Sequence, residues 1–166
     1  MVHLMLLRHA KSDWSDEGLL DVDRPLNARG KKAAPEMALW MRKHHWMPDR
    51  ILCSTAKRTR ETLERMQEAW QKTDPAWNPN LGARLVERLY LAPPQTMLEE
   101  AMAAASDVQS LLVIGHNPGI EMLATRLSDE PCEMRTCTLV VLEAQPSWPE
   151  DWWDSGSWTQ VAKHRS

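Results

Sequence analysis

Short apolar runs alternate with longer amphipathic segments along this chain, and that alternation leaves few folds open. Val2–Leu7 is apolar except for His3. It is too short for a helix and fits a strand buried on both faces. Arg50–Cys53, Leu111–Ile114 and Thr138–Leu142 read the same way, and Trp158–Ala162 reads as a last strand. Between them lie segments with helical spacing: Ala28 to about Trp46, Lys57 to about Gln71, Pro94–Ala105, and one beginning near Pro118. Residues 10–27 and 73–84 read as loops, and Val86–Leu91 as a short strand or extended segment. Strands joined by helices of about twelve residues imply a largely parallel sheet with helices on both sides. The expected class is α/β, a three-layer α/β/α sandwich with a mostly parallel central sheet.

Composition narrows the function. With 20 basic and 23 acidic residues the net charge is −3, so a generally basic nucleic-acid binder is excluded. The 166 residues suit one domain spanning 1–166. Cys53, Cys132 and Cys137 are too few and scattered for a disulfide framework. The first residues lack the pattern of a signal peptide, and no stretch reaches the length of a membrane span. A cytoplasmic protein with no membrane association is the expectation. Phenylalanine is absent and tryptophan unusually common. Trp152, Trp153 and Trp158 either form an exposed patch or close over the core.

In open parallel sheets, ligands bind at the carboxyl ends of the strands. Arg8 and His9 come after the first strand, Ser54 and Arg58 after the second, and His116 and Asn117 after the Leu-Leu-Val-Ile strand. An acidic chain that gathers two arginines and two histidines on one rim is building an anion site. Two arginine forks suit a phosphoryl group. A neutral imidazole can attack phosphorus provided its other nitrogen is held in one tautomer. A metal site would need three or four suitable ligands, and arginines beside the histidines would repel a dication.

Four segments, Leu6–Trp14 (LLRHAKSDW), Arg24–Gly30 (RPLNARG), Ser54–Thr62 (STAKRTRET) and Gly115–Glu121 (GHNPGIE), fall in this order on those strand ends. They resemble the signature segments of the histidine phosphatase superfamily, and the RPLN and GHNPG segments look most like its SixA-like phosphohistidine phosphatase branch. The resemblance spans roughly residues 2–145. It implies a phosphoglycerate mutase-like fold, with His9 as the nucleophile that becomes phosphorylated. It further implies Arg8 and Arg58 as phosphate-binding residues and His116 as the second catalytic histidine. Ala10 stands where the family usually has glycine, and it leaves every charged group in place.

Ser12 and Asn117 are candidates to donate hydrogen bonds to the phosphate, or to cap helices. Arg24 beside Asp23 either ties down the long loop or leans into the site. His3 reads as a strand residue, His44 and His45 as cations at a helix end, and His164 as part of a frayed tail. The ester-cleaving relatives draw a proton from a glutamate, for which Glu87 is the candidate. Phosphohistidine leaves as imidazole and needs such help far less. The chain between Arg58 and His116 has little room for a cap domain, which favours an open site and a phosphohistidine borne on a protein. No metal or organic cofactor is required. The alternatives are a phosphatase of small phosphate esters or sugar phosphates and a non-catalytic phosphate-binding module.

Overall fold

The computed structural model describes residues 1–77 and 82–166. Six strands form one sheet: β1 (Val2–Arg8), β2 (Arg50–Ser54), β3 (Ala83–Val86), β4 (Ser110–Gly115), β5 (Thr138–Ala144) and β6 (Thr159–Arg165). Four helices connect them: α1 (Ala28–Lys43), α2 (Lys57–Thr73), α3 (Pro94–Ala104) and α4 (Gly119–Ser128). The strand order is β3-β2-β4-β1-β5-β6. The first four strands in that order are parallel, and β5 and β6 add an antiparallel wing.

Alternation along each central strand divides the core in two. Leu4 and Leu6 of β1 face Met97, Leu98 and Ala101 of α3 and Ile120 and Leu123 of α4. Met5 and Leu7 face Ala34, Met37 and Met41 of α1 and Met66 and Trp70 of α2. Successive strand side chains point to opposite faces, so a strand covered on both faces must be apolar throughout. This is the three-layer sandwich that the periodicity implied.

Several boundaries differ from the sequence reading. α1 stops at Lys43 rather than near Trp46, because His45 adopts a left-handed conformation (φ 63°). There the Trp46 N–H donates to the Met41 carbonyl and the His45 N–H to that of Arg42. That pair of bonds is a Schellman motif, with histidine where glycine is usual. The segment expected as strand or extended chain at Val86–Leu91 is instead the end of β3 and then a 3₁₀ turn at Glu87–Leu89. Burial of Leu89 draws that turn inward. The loop expected at 73–84 lies partly outside the described residues, at 78–81. His164 is not in a frayed tail: it sits in β6, stacked on Trp40 with ring centroids 4.2 Å apart. Trp152 and Trp158 are buried and pack with Trp148 against the α3/α4 side of the sheet, so the tryptophan-rich segment seals the core. Among the described residues no helix is long and apolar enough to cross a membrane.

Gly119 opens α4 just after His116, and only glycine fits there. A Cβ at that position would lie 1.9 Å from the Ala92 carbonyl oxygen. Backbone cannot give way as a flexible side chain can. Gly119→Ala is therefore expected to destabilise the fold by about 1–3 kcal/mol, read as a lower urea midpoint.

Candidate active site

Strand register brings the two histidines together. Arg8 stands level with Gly115 in the parallel β1/β4 pair, so the next residue on each chain segment, His9 and His116, emerge side by side. Their ring centroids are 5.2 Å apart. β2 lies on the other side of β4, with Cys53 level with Ile114, which delivers Ser54 beside His116. The turn after β1 is pinned from two directions. The Ala10 N–H donates to Thr62 Oγ1 of α2 at 3.1 Å, and the Cys137 N–H donates to the Arg8 and His9 carbonyls. A cavity of about 410 Å³ opens at this edge. Of the residues expected there, Arg8, His9, Ser12, Arg58, His116 and Asn117 line it.

His9 is 6% exposed and held in one tautomer. Its Nδ1 lies 2.7 Å from the Ala10 carbonyl oxygen, which can only accept, so Nδ1 carries the proton. Nε2 therefore presents its lone pair, which accepts from Arg58 Nε–H at 3.3 Å. Burial holds this imidazole down at about 4, with Arg58 and Arg8 acting in the same sense and the Ala10 carbonyl opposing. His116 is held at about 3, chiefly by burial and then by His9 and Arg58. Its Nε2 pairs with Ser54 Oγ at 2.7 Å. Both rings are neutral at pH 7.

The cations are set by their own partners. Arg8 Nη1 donates to the Met134 carbonyl at 3.0 Å. Burial lowers the pKa of Arg8, while Glu121 opposes that shift. Arg8 Nε and His116 Nδ1 are buried with no hydrogen-bond partner. Buried polar atoms are seldom left so, and both belong to residues that line the cavity. Ser12 Oγ accepts from Trp14 Nε1, which leaves its hydroxyl proton free to donate.

Asn117 departs from expectation. Its Nδ2 donates to Glu121 Oε2 and to the Met134 carbonyl, so both amide protons are committed away from a phosphate. It latches α4 to the loop before β5. Glu87 is a second correction. The 3₁₀ turn buries Leu89 and leaves Glu87 exposed, outside the cavity lining. The carboxylate that does line the cavity is Asp21, which sequence reasoning missed. Arg58 Nη1 donates to the Asp21 carbonyl at 2.7 Å and Nη2 to Asp21 Oδ2 at 3.0 Å. Tyr90, the one tyrosine, donates to the same Oδ2 at 2.6 Å. Burial pushes the Asp21 carboxyl up. The hydrogen bonds from Tyr90 and Arg58 and the charge of Arg58 outweigh that and hold it below its ordinary value. Arg24 lies near Asp21, not Asp23, with Nε 3.9 Å from Oδ1. Its guanidinium covers the Trp14 ring at 4.1 Å. The available signal was the spacing Asp-x-Asp-Arg-Pro over 21–25. It did not reveal which aspartate turns inward.

Residues 4–90 match the model of the histidine phosphatase superfamily (branch 1). A chloroplastic protein of Arabidopsis thaliana is 33% identical over 157 residues, covering 89% of this chain and 69% of that protein. The structure of a candidate SixA phosphohistidine phosphatase from Agrobacterium tumefaciens superposes with a TM-score of 0.79 at 27% identity, covering 99% of each chain. A mycobacterial glucosyl-3-phosphoglycerate phosphatase shares the fold at 16% identity, with a TM-score of 0.66 and both chains fully covered. The chain belongs to the histidine phosphatase superfamily, and within it is SixA-like.

The buried histidines predict a pH signature in stability. In the folded state His9 titrates at about 4, below the ordinary 6.5. Between those values the unfolded chain binds more protons, so stability rises with pH through this window. The contribution is fully present above about pH 6.5 and is lost as pH falls through about 4. Urea midpoints are expected to drop between pH 7.5 and pH 5, with a smaller drop in His9→Gln.

Proposed function

We propose that this chain is a phosphatase that carries the phosphoryl group on His9 and acts on phosphohistidine within a protein. The single observation that carries the reading is the state of His9. It is a neutral imidazole with Nδ1–H fixed on the Ala10 carbonyl and Nε2 facing the Arg58 guanidinium.

In the proposed first step the phosphoryl group enters between Arg8 and Arg58, and Arg58 Nε–H transfers its hydrogen bond from Nε2 to a phosphoryl oxygen. The P–Nε2 bond forms as the bond from phosphorus to the substrate imidazole breaks. That ring, protonated on its far nitrogen, leaves as neutral imidazole. Phospho-His9 then has the form that favours its own cleavage. Its Nδ1 proton, kept by Ala10, lets the ring leave as neutral imidazole when water attacks phosphorus and inorganic phosphate departs. Most of the rate gain comes from positioning and from cations in a partly dry site.

The supply of protons supports phosphohistidine over an ester. An alkoxide leaving group wants an acid, yet Asp21 is ionised and committed to Arg58 and Tyr90. Glu87 is exposed and outside the cavity lining. The rim supports a macromolecular substrate. Trp14 and Leu91 border the cavity with 63% and 52% of their surface exposed, and Leu20 of the same loop is 70% exposed. Such a rim suits contact with another protein surface better than enclosure of a small polar ester. A phosphatase of small esters remains the second reading, favoured by the fold shared with the glucosyl-3-phosphoglycerate phosphatase.

Phosphate release from a phosphohistidine peptide and from an aryl phosphate, measured side by side in excess EDTA, tests the reading. Faster, EDTA-resistant release from the peptide is expected, and His9→Ala is expected to abolish it. Release from the ester alone would favour the small-molecule phosphatase. No turnover of either, with phosphopeptide binding retained, would favour the binding module.

A further inference from the structure

We propose that Asp21, braced by Tyr90, is the positioning residue that aims Arg58 at the phosphoryl group. The inference rests on the reading of this cavity as the phosphoryl site. A guanidinium has an end edge, formed by Nη1 and Nη2, and a side edge, formed by Nε and Nη2. Asp21 fills the end edge twice over, with its backbone carbonyl on Nη1 and its carboxylate on Nη2. The side edge is thereby turned to His9, whose Nε2 lies 3.3 Å from Nε. Paired charge-assisted bonds of this kind fix the plane of the fork as well as its position.

Tyr90 completes the brace. Its hydroxyl donates to the same Asp21 oxygen that accepts from Arg58, and its ring lies 6.0 Å from the Arg58 guanidinium carbon. The ring also meets His116 edge-on at 5.6 Å. Two distant segments thus converge on Arg58 at the start of α2: the 3₁₀ turn Asp21–Asp23 and the residue after the Glu87–Leu89 turn. Arg58 is 5% exposed. Its long side chain would otherwise have several rotamers to choose between as an anion enters.

The sign of the effect separates this role from simple electrostatics. A carboxylate in an anion cavity repels the anion, so by charge alone its removal would tighten oxyanion binding. A positioning role predicts weaker binding. Tungstate, a phosphate mimic, is the probe, with affinity measured by calorimetry and kcat and KM followed on the phosphohistidine peptide. Asp21→Ala is expected to weaken tungstate binding by roughly tenfold and to lower kcat more than it raises KM. Tyr90→Phe should act in the same direction with a smaller effect, and it guards against a folding defect in Asp21→Ala. In an Arg58→Ala background, Asp21→Ala should change tungstate affinity no further, because its effect passes through Arg58. Tighter or unchanged binding in Asp21→Ala would overturn the inference. So would an undiminished effect of Asp21→Ala in the Arg58→Ala background. Failure of the wild-type protein to bind tungstate would overturn the reading of the cavity itself. Tungstate binding without turnover of the peptide would overturn only the assigned reaction.

Discussion

The level pairing of Arg8 with Gly115 in adjacent parallel strands is the constraint on which the site depends. Parallel strands start and stop together, so the residue after each strand end reaches the same edge of the sheet. β1 contributes His9, β4 contributes His116, and β2 contributes Ser54 to hold His116. A slip of one residue in this register would turn every β1 side chain to the opposite face. It would also carry His9 away from His116. The apolar alternation that resists such a slip is the same alternation that builds the two cores. The packing that fixes the register therefore also brings the two histidines together.

Neutrality of both imidazoles comes from this placement. Rings buried at a strand end, beside two guanidinium groups, cannot hold a further proton near pH 7. The Ala10 carbonyl then sorts the two nitrogens of His9 into one that keeps its proton and one that keeps its lone pair. A methyl group at position 10 is compatible with this arrangement. Ala10 is fully buried, and its N–H still reaches Thr62. The turn requires a particular carbonyl direction, which alanine and glycine can both supply.

Much of this was legible in the sequence because strand-end chemistry is written locally. Apolar runs mark the strands, and the charged residues just beyond them mark the edge. Arg8, His9, Arg58 and His116 needed no further information to be grouped. The failures are all tertiary. Nothing local says that Asp21 rather than Asp23 turns inward, because that choice is made by Arg58 and Tyr90, distant in sequence. Glu87 sits two residues from a buried leucine, and the burial of Leu89 decided which way the turn faces. Asn117 stands in the expected segment, yet Glu121 and the Met134 carbonyl claim its amide protons. His164 looked like tail because the stacking partner that orders it, Trp40, lies on α1.

A carboxylate beside an anion site needs a physical justification, and its placement supplies one. Half-buried Arg8 and buried Arg58 line one cavity and repel, and partial burial makes that repulsion more costly than it would be in water. Asp21 at the end edge of Arg58 offsets that repulsion, and the charge of Glu121 acts on Arg8 in the same sense. Asp21 sits on the Nη1/Nη2 edge of Arg58, away from the Nε–H that meets the His9 lone pair. The side edge of Arg58, turned to His9, keeps its attraction for an arriving phosphoryl group. A site with the arginines alone would hold its donors loosely and lose affinity with that looseness. Catalysis depends on donors fixed where charge develops, more than on charge in total. In the proposed arrangement the direction that Asp21 gives to Arg58 outweighs the repulsion its charge adds.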